Sequence, residues 1–242
     1  MSTDPDEIRT SLGRNLTYGL LDHLGKSIVT GAYTNTPFPT EAELSKQHGV
    51  SRSVTREAVK MLTTKGLLSA RPRQGTIIQP DSTWNLFDSD VLRWLLERKF
   101  SLKLLREFNE LRVAIGPAAA ALAATAADQN GMQLIRAGFD RMTAAEAGDD
   151  DALDADIAFH LAILRASANP FFAQFRDVVA TALRTSIRLT NRIQGRSADL
   201  GTHEAVLRAI EARDPEASRT AMLQIIEDVM ALIVRSSPNE SP

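Results

Sequence analysis

The stretch from Pro39 to Ile78 constrains this chain more than any other. It reads Pro39-Thr-Glu-Ala-Glu-Leu-Ser45, then Gly49-Val-Ser-Arg-Ser-Val-Thr-Arg-Glu-Ala58, then Gly66-Leu-Leu68, then Arg71-Pro-Arg-Gln-Gly-Thr-Ile-Ile78. Pro39 and Thr40 suit a helix start: proline tolerates the first turn, a threonine hydroxyl accepts an orphan amide, and Glu41 and Glu43 favour the positive helix end. Gly49 tolerates the left-handed backbone that ends such a helix in a tight turn. Ser51 can cap a second helix, and Thr55, Ala58, Val59 and Leu62 fall on its inward face. Leu67 to Ala70 and Thr76 to Ile78 read as two strands joined by a basic turn. Two short helices, a turn and a β-hairpin, in that order, predict a winged helix-turn-helix.

The outward face of the second helix carries Ser51, Arg52, Ser53 and Arg56 at its N-terminal end, where a recognition helix meets base edges and phosphates. Arginine can bond guanine through two parallel donors, and short hydroxyls can hold phosphate oxygens. With Arg73 and Gln74 in the wing turn and Gly75 at its tip, these form the candidate DNA-facing set.

The whole chain of 242 residues has a net charge of −2, which does not by itself suggest a nucleic-acid partner. Its distribution does. From Lys26 to Arg73 there are eight Lys or Arg (26, 46, 52, 56, 60, 65, 71, 73) against three acids (41, 43, 57). A basic module on an acidic body suits a protein that meets DNA with one face. There is no cysteine, so neither disulfides nor a thiolate metal site is available. The absence of a signal-like start or a membrane-length apolar run predicts a cytoplasmic protein with no membrane partner. Residues 1 to about 10 and the tail from Ser236 are polar, and the sequence predicts that they fray.

Beyond Pro80 the pattern turns helical. A connector over 81–100 includes Leu86, Val91, Trp94 and Leu95, which its spacing would cluster. Helical segments then follow at roughly 101–126, 129–147, 150–167, 170–194, 198–212 and 215–235, bounded by caps and breakers such as Gly148, Asn169-Pro170 and Asp214-Pro215. Short loops between them predict an all-α antiparallel bundle. The organisation expected is therefore 1–80 winged helix-turn-helix, 81–100 connector and 101–237 helical bundle, mainly α throughout.

Within the bundle Arg112 lies among apolar positions, and a buried cation needs a partner: Glu110, another acid, or an anionic ligand. Asp156 and His160 are one helical turn apart and share a face. With His203 from a later helix they offer one carboxylate and two imidazoles, either as a hydrogen-bonded cluster or as ligands for a divalent ion such as zinc, nickel or manganese. Arg188, Asn191 and Arg192 lie on the preceding helix, either as solvated surface or as contacts to an effector.

The segment from about Leu24 to Ile78 resembles the DNA-binding domain of the GntR family of bacterial transcription factors, on Ile28-Val-Thr-Gly31, Pro39-Thr-Glu41, Gly49-Val-Ser-Arg52, Arg56-Glu-Ala58 and Gly75-Thr76. From about 101 to 235 the chain resembles the FCD domain of the FadR subfamily, on Glu110-Leu-Arg112, Asp156-Ile-Ala-Phe-His160, Asn169-Pro170, His203 to Ile210 and Asp214-Pro-Glu-Ala217. Trp84-Asn85 and Asp88-x-Asp90-Val-Leu-x-Trp94 resemble a subgroup of sugar-acid, galactonate-type operon repressors. The resemblance implies a homodimer that binds a pseudo-palindromic double-stranded operator. It also implies a metal held by Asp156, His160 and His203, and a small carboxylate or sugar acid completing its coordination beside Arg112. Three positions depart from the family: Ala42 stands where an Arg often touches DNA, Gly116 where a Glu is usual, and Ile225 where a fourth, histidine ligand is usual. They leave two alternatives open, a DNA-binding regulator with a degenerate, metal-free site and, from the open three-ligand layout, a metal-dependent hydrolase.

Overall fold

The computed structural model describes residues 5–34, 36–71, 75–98, 102–194 and 199–235, with the side chains of 5–14, 98 and 189–194 left aside. The chain forms two compact units, residues 1–99 and 100–242.

In the first unit α1 (Pro5–Val29) precedes α2 (Glu41–His48) and α3 (Arg52–Thr64), followed by β1 (Leu68–Arg71), β2 (Gly75–Ile78), a 3-10 turn at Asp81–Thr83 and α4 (Ser89–Arg98). Helix α1 begins at Pro5, within the stretch that composition alone marks as frayed. Helix α2 starts on a complete capping box, in which the Thr40 side chain accepts from the Glu43 amide and the Glu43 carboxylate accepts from the Thr40 amide. It ends at Gly49, whose φ of 64° is the left-handed conformation expected there. The expected inward residues of α3, Thr55, Ala58, Val59 and Leu62, are all buried. They join Leu20, Leu21, Leu24 and Ile28 of α1, Leu44 of α2, and Val91 and Trp94 of α4 in one core. The hairpin is antiparallel, with Leu68 opposite Ile78 and Arg71 opposite Gly75.

The connector folds onto this unit through Trp94. Its ring lies against Gly25 of α1, where even a single added Cβ would come within 2.4 Å of it, and its indole N–H donates to Asp22 at 2.8 Å. Asp88 caps α4 by accepting from the amides of Asp90 and Val91. Asp88 and Asp90 also hold the Lys65 ammonium at 2.7 and 3.0 Å, at the C-cap of α3. Val91 is buried as expected, but Leu86 is 45% exposed and does not join the cluster.

The second unit is all helix: α5 (Leu102–Ala126), α6 (Gln129–Ala147), α7 (Ala152–Ala166), α8 (Pro170–Gln174), α9 (Arg176–Gln194), α10 (Leu200–Glu211) and α11 (Pro215–Arg235). The single helix expected over 170–194 is divided at Phe175, so a one-turn α8, capped by the Asn169 side chain, precedes α9. Helix α5 packs along α11, α6 along α7, and α9 and α5 both meet α7. Pro117 sits inside α5 and removes the amide that would bond the Val113 carbonyl. Val113 is 38% exposed, so solvent can serve that oxygen.

Two glycines set how closely the bundle closes. At Gly138 on α6 an added Cβ would meet the Phe159 backbone at 2.8 Å, and at Gly116 on α5 it would meet Ile226 of α11 at 2.9 Å. The Gly138 contact fixes α7, the helix that carries Asp156 and His160. Gly138→Ala improves intrinsic helix propensity, by up to about 1 kcal/mol, yet it should destabilise the protein by about 1 to 3 kcal/mol through overpacking against backbone. Urea unfolding of the two proteins checks this; an unchanged or higher midpoint would show that α6 and α7 can separate freely.

Candidate nucleic-acid interface and buried effector site

On the first unit, Ser51 caps α3 by accepting from the Val54 amide, and its hydroxyl lies 2.9 Å from that of Ser53. Ser51, Arg52, Ser53 and Arg56 are all exposed at the N-terminal end of α3. Arg52 has no ion-pair partner among the described residues. Arg56 is 71% exposed and reaches Glu41 at 3.4 Å, a surface pair weak enough for a phosphate to displace. Gly75 opens β2 with φ of 78° and open space where a Cβ would point, so the wing can approach another surface closely. Arg73 and Gln74 lie outside the described residues. The structure thus gathers the helix residues named from sequence on one solvent-facing surface.

In the second unit α7 carries Asp156 and His160 on one face, α10 brings His203, and α5 brings Arg112 and Asn109; all five are buried. The helical repeat explains the first pair, and the loop before α10 explains His203. Asp199 caps α10 by accepting from the Gly201 and Thr202 amides, and its carbonyl oxygen accepts from His203 Nδ1 at 2.7 Å. That bond places a proton on Nδ1, so in the neutral ring the Nε2 lone pair is directed inward. His160 Nε2 and His203 Nε2 lie 3.2 and 3.6 Å from the same oxygen, Asp156 Oδ1. Yet Asp156 Oδ1 and His203 Nε2 are buried without a hydrogen-bond partner.

Acceptors that converge in a dry interior require a positive species between them. The candidate ligand atoms of Asp156, His160 and His203 all lie within 4.8 Å of one another. A carboxylate with two imidazoles, one of them oriented by a backbone carbonyl, suits a divalent ion such as zinc, nickel or manganese. Without an ion, a proton on His203 is the positive species that faces Asp156. Burial would raise the Asp156 carboxyl, but the imidazoles hold it well below the usual carboxylate range. Burial pushes His160 down to about 4, leaving it neutral at pH 7. It also pushes His203 down, but the facing Asp156 carboxylate outweighs burial and the imidazole stands above its ordinary value.

Arg112 is the remaining charge. Burial pushes its pKa down to about 10, partly offset by Asp156, so it stays cationic at neutral pH. Its guanidinium donates to Asn109 Oδ1 at 3.1 Å, while the Asn109 amide donates to the Leu105 carbonyl. Glu110, one of the partners the sequence left open, does not serve Arg112: it lies near Arg106, 3.7 Å away, on the exposed side of α5. Arg112 and His160 instead face a small cavity between α5, α7, α9 and α11, walled by side chains such as Phe108, Ile163 and Val179. Gly116 also lines it, at the position where Met222 and Ile226 of α11 come close. Ile225 is buried and adds no ligand atom.

The residues named on α9 fare differently. Arg188 is exposed, on the face opposite the buried Val178, Val179, Ala182, Leu183, Ser186 and Ile187, in keeping with the solvated-surface alternative. The side chains of Asn191 and Arg192 lie outside the described residues. Sequence reasoning missed Asn109, although its position three residues before Arg112 on the same helical face was a readable signal.

Comparison with known proteins agrees with this two-part construction. Residues 17–78 match the model of the bacterial regulatory proteins of the gntR family, and residues 107–228 match the FCD domain. The galactonate operon transcriptional repressor of Escherichia coli K12 is 31% identical over 217 residues, which cover 88% of this chain and 94% of the repressor. The HTH-type transcriptional regulator YieP of the same organism is 33% identical over 208 residues, 85% of this chain and 90% of YieP. Among solved structures, Lar of Listeria monocytogenes superposes with a TM-score of 0.58 at 18% identity, covering 91% of this chain and 97% of that one, a likeness of fold. The chain belongs to the GntR family of bacterial regulatory proteins and is a transcriptional regulator in which a GntR DNA-binding domain precedes an FCD domain.

Proposed function

We propose that the protein is a homodimeric repressor that binds a pseudo-palindromic operator through Ser51, Arg52, Ser53, Arg56 and the wing at Arg73, Gln74 and Gly75, and that a small carboxylate bound in the bundle releases it. The observation that carries the effector half is Arg112. It is a buried cation whose only hydrogen bond among the described residues goes to a neutral amide, at the wall of a cavity shared with His160. A buried guanidinium with free donors is matched by a carboxylate, which it can grip with two parallel bonds. The operon repressors among the relatives, such as the one named for galactonate, support a small organic acid in this role.

Asp156, His160 and His203 would hold a divalent ion, which when bound supplies a Lewis-acid position for that carboxylate and the positive charge the converging acceptors lack. The chain's own residues do the rest. Arg112 orients the acid, Asn109 holds Arg112, and the Asp199 carbonyl fixes the His203 tautomer. Regulation requires only that the ligand bind one arrangement of the protein better than another; the difference in affinity sets how far DNA binding shifts. The curated relatives are regulators, and nothing among them supports the hydrolase alternative. The metal-free alternative rests on Ile225, which replaces a ligand by a buried alkyl group.

Elemental analysis of the purified full-length protein tests the centre. Bound divalent metal near one equivalent per chain is expected, together with its loss in Asp156→Ala; metal-free protein whose stability ignores chelators would establish the degenerate reading instead. On the DNA side, Arg52→Ala should weaken operator binding by about 1 to 3 kcal/mol and flatten sequence preference, as read by titration of operator and scrambled duplexes. Equal loss on both duplexes would mean that Arg52 holds only phosphate. Affinity of the unaltered protein should also fall steeply with added salt, because phosphate contacts release counterions.

A further inference from the structure

We infer that the effector is a short monocarboxylate with an apolar body, not a polyhydroxylated sugar acid; this rests on the carboxylate reading of Arg112 given above. The cavity that reaches Arg112 and His160 is lined otherwise by alkyl and aromatic side chains from four helices, and those two are the only polar lining residues among the described ones. One end of the cavity can therefore receive a carboxylate, and the remaining wall offers nothing to a hydroxyl. Behind that wall, Asn109 already donates to Leu105 and accepts from Arg112, and Asp156 and His203 lie behind His160, outside the lining. A sugar acid brings several hydroxyls, and each one buried without a partner weakens binding by roughly tenfold.

Among the described residues α9 gives the lining only Val178 and Val179, and its buried Ser186 is seven residues, about 10 Å, further along. Asn191 is twelve residues beyond Val179, which lines the cavity, and at the helical rise that separates them by about 18 Å. Arg188 points to solvent. The space is also small, about 30 Å3 as the helices stand, so even a short body has to part Ile163, Val178 and Val179 as it enters. A branched or aromatic acid repays that with apolar burial; a sugar acid of similar length does not.

The test is a thermal-shift and calorimetric panel on the full-length protein, as purified and after loading with manganese chloride. The probes are isovalerate and benzoate against galactonate and gluconate. Isovalerate or benzoate should raise the Tm and bind at least about tenfold more tightly than either sugar acid, and Arg112→Gln should abolish the response. Because Arg112→Gln can disturb folding, Val178→Thr provides a second reading. It places a hydroxyl in the wall at nearly constant volume and should weaken the apolar acids but not the sugar acids, whose hydroxyls gain a partner. A Tm rise with galactonate or gluconate and none with the apolar acids overturns this inference and leaves the carboxylate reading intact. No response to any of the four, in either metal state, overturns both.

Discussion

The burial of the Asp156 carboxylate is the constraint around which the bundle is arranged. An ionised carboxylate in a dry interior is costly unless positive charge and donors surround it. Here Arg112 provides the charge at longer range, and the two imidazoles face one oxygen at 3.2 and 3.6 Å. The arrangement has no slack. Helix α7 must sit at one depth against α6, which the bare Gly138 permits, and His203 must present Nε2, which the Asp199 carbonyl enforces. Two imidazoles, a carboxylate and a guanidinium brought to one place at such cost are better explained as a binding centre than as a packing solution. An apolar substitute of the same volume would stabilise the fold at least as well.

A second concentration of charge organises the DNA-binding unit and obeys the opposite logic, because there every group is matched. Lys65 at the C-terminal end of the recognition helix α3 is held by both Asp88 and Asp90, while Arg93 bridges Asp90 and Asp22. Burial lowers the Lys65 pKa, but the two carboxylates more than reverse it, so the ammonium is secured. A cation there also complements the negative helix end. The residues that let the sequence be placed among sugar-acid regulators, Asp88, Asp90 and Trp94, are thus the ones that clamp α4 to α1 and to the end of α3. In this chain they serve the attachment of the connector.

That distinction explains what was legible in the sequence. The recognition helix could be read because local chemistry fixes it: Thr40, Gly49 and Ser51 act on their own neighbours, and the Thr55 to Leu62 spacing defines one face. Asp156 and His160 were legible for the same reason, being one turn apart on one helix. What lay beyond reach depended on contacts distant in sequence. Glu110 is adjacent in sequence to the right region, but helical geometry turns it to solvent beside Arg106, so it could not pair with Arg112. The break at Phe175 has no glycine or proline to announce it. Leu86 looks like a core residue until the chain leaves it outside the cluster centred on Trp94. The side of α9 that carries Arg188 could be decided only by which of its neighbours, Val179 and Leu183 among them, are buried.

The two binding surfaces also differ in where their specificity resides. On α3 the groups proposed to read DNA are exposed and nearly unpaired, and Ala42 on α2 is exposed as well, so changes at these positions leave the core of the unit untouched. In the bundle the decisive groups are buried, and the neighbouring wall selects by what it lacks. Gly116, standing where the family carries a glutamate, takes a polar group out of the lining and lets α11 bring Met222 and Ile226 against α5. Ile225 on the same helix takes out a ligand. Of the two, only Gly116 lines the cavity, and it leaves that wall tighter and more apolar beside Arg112; Ile225 is buried outside the lining. A ligand that keeps its carboxylate and sheds its hydroxyls is the chemical counterpart of that wall.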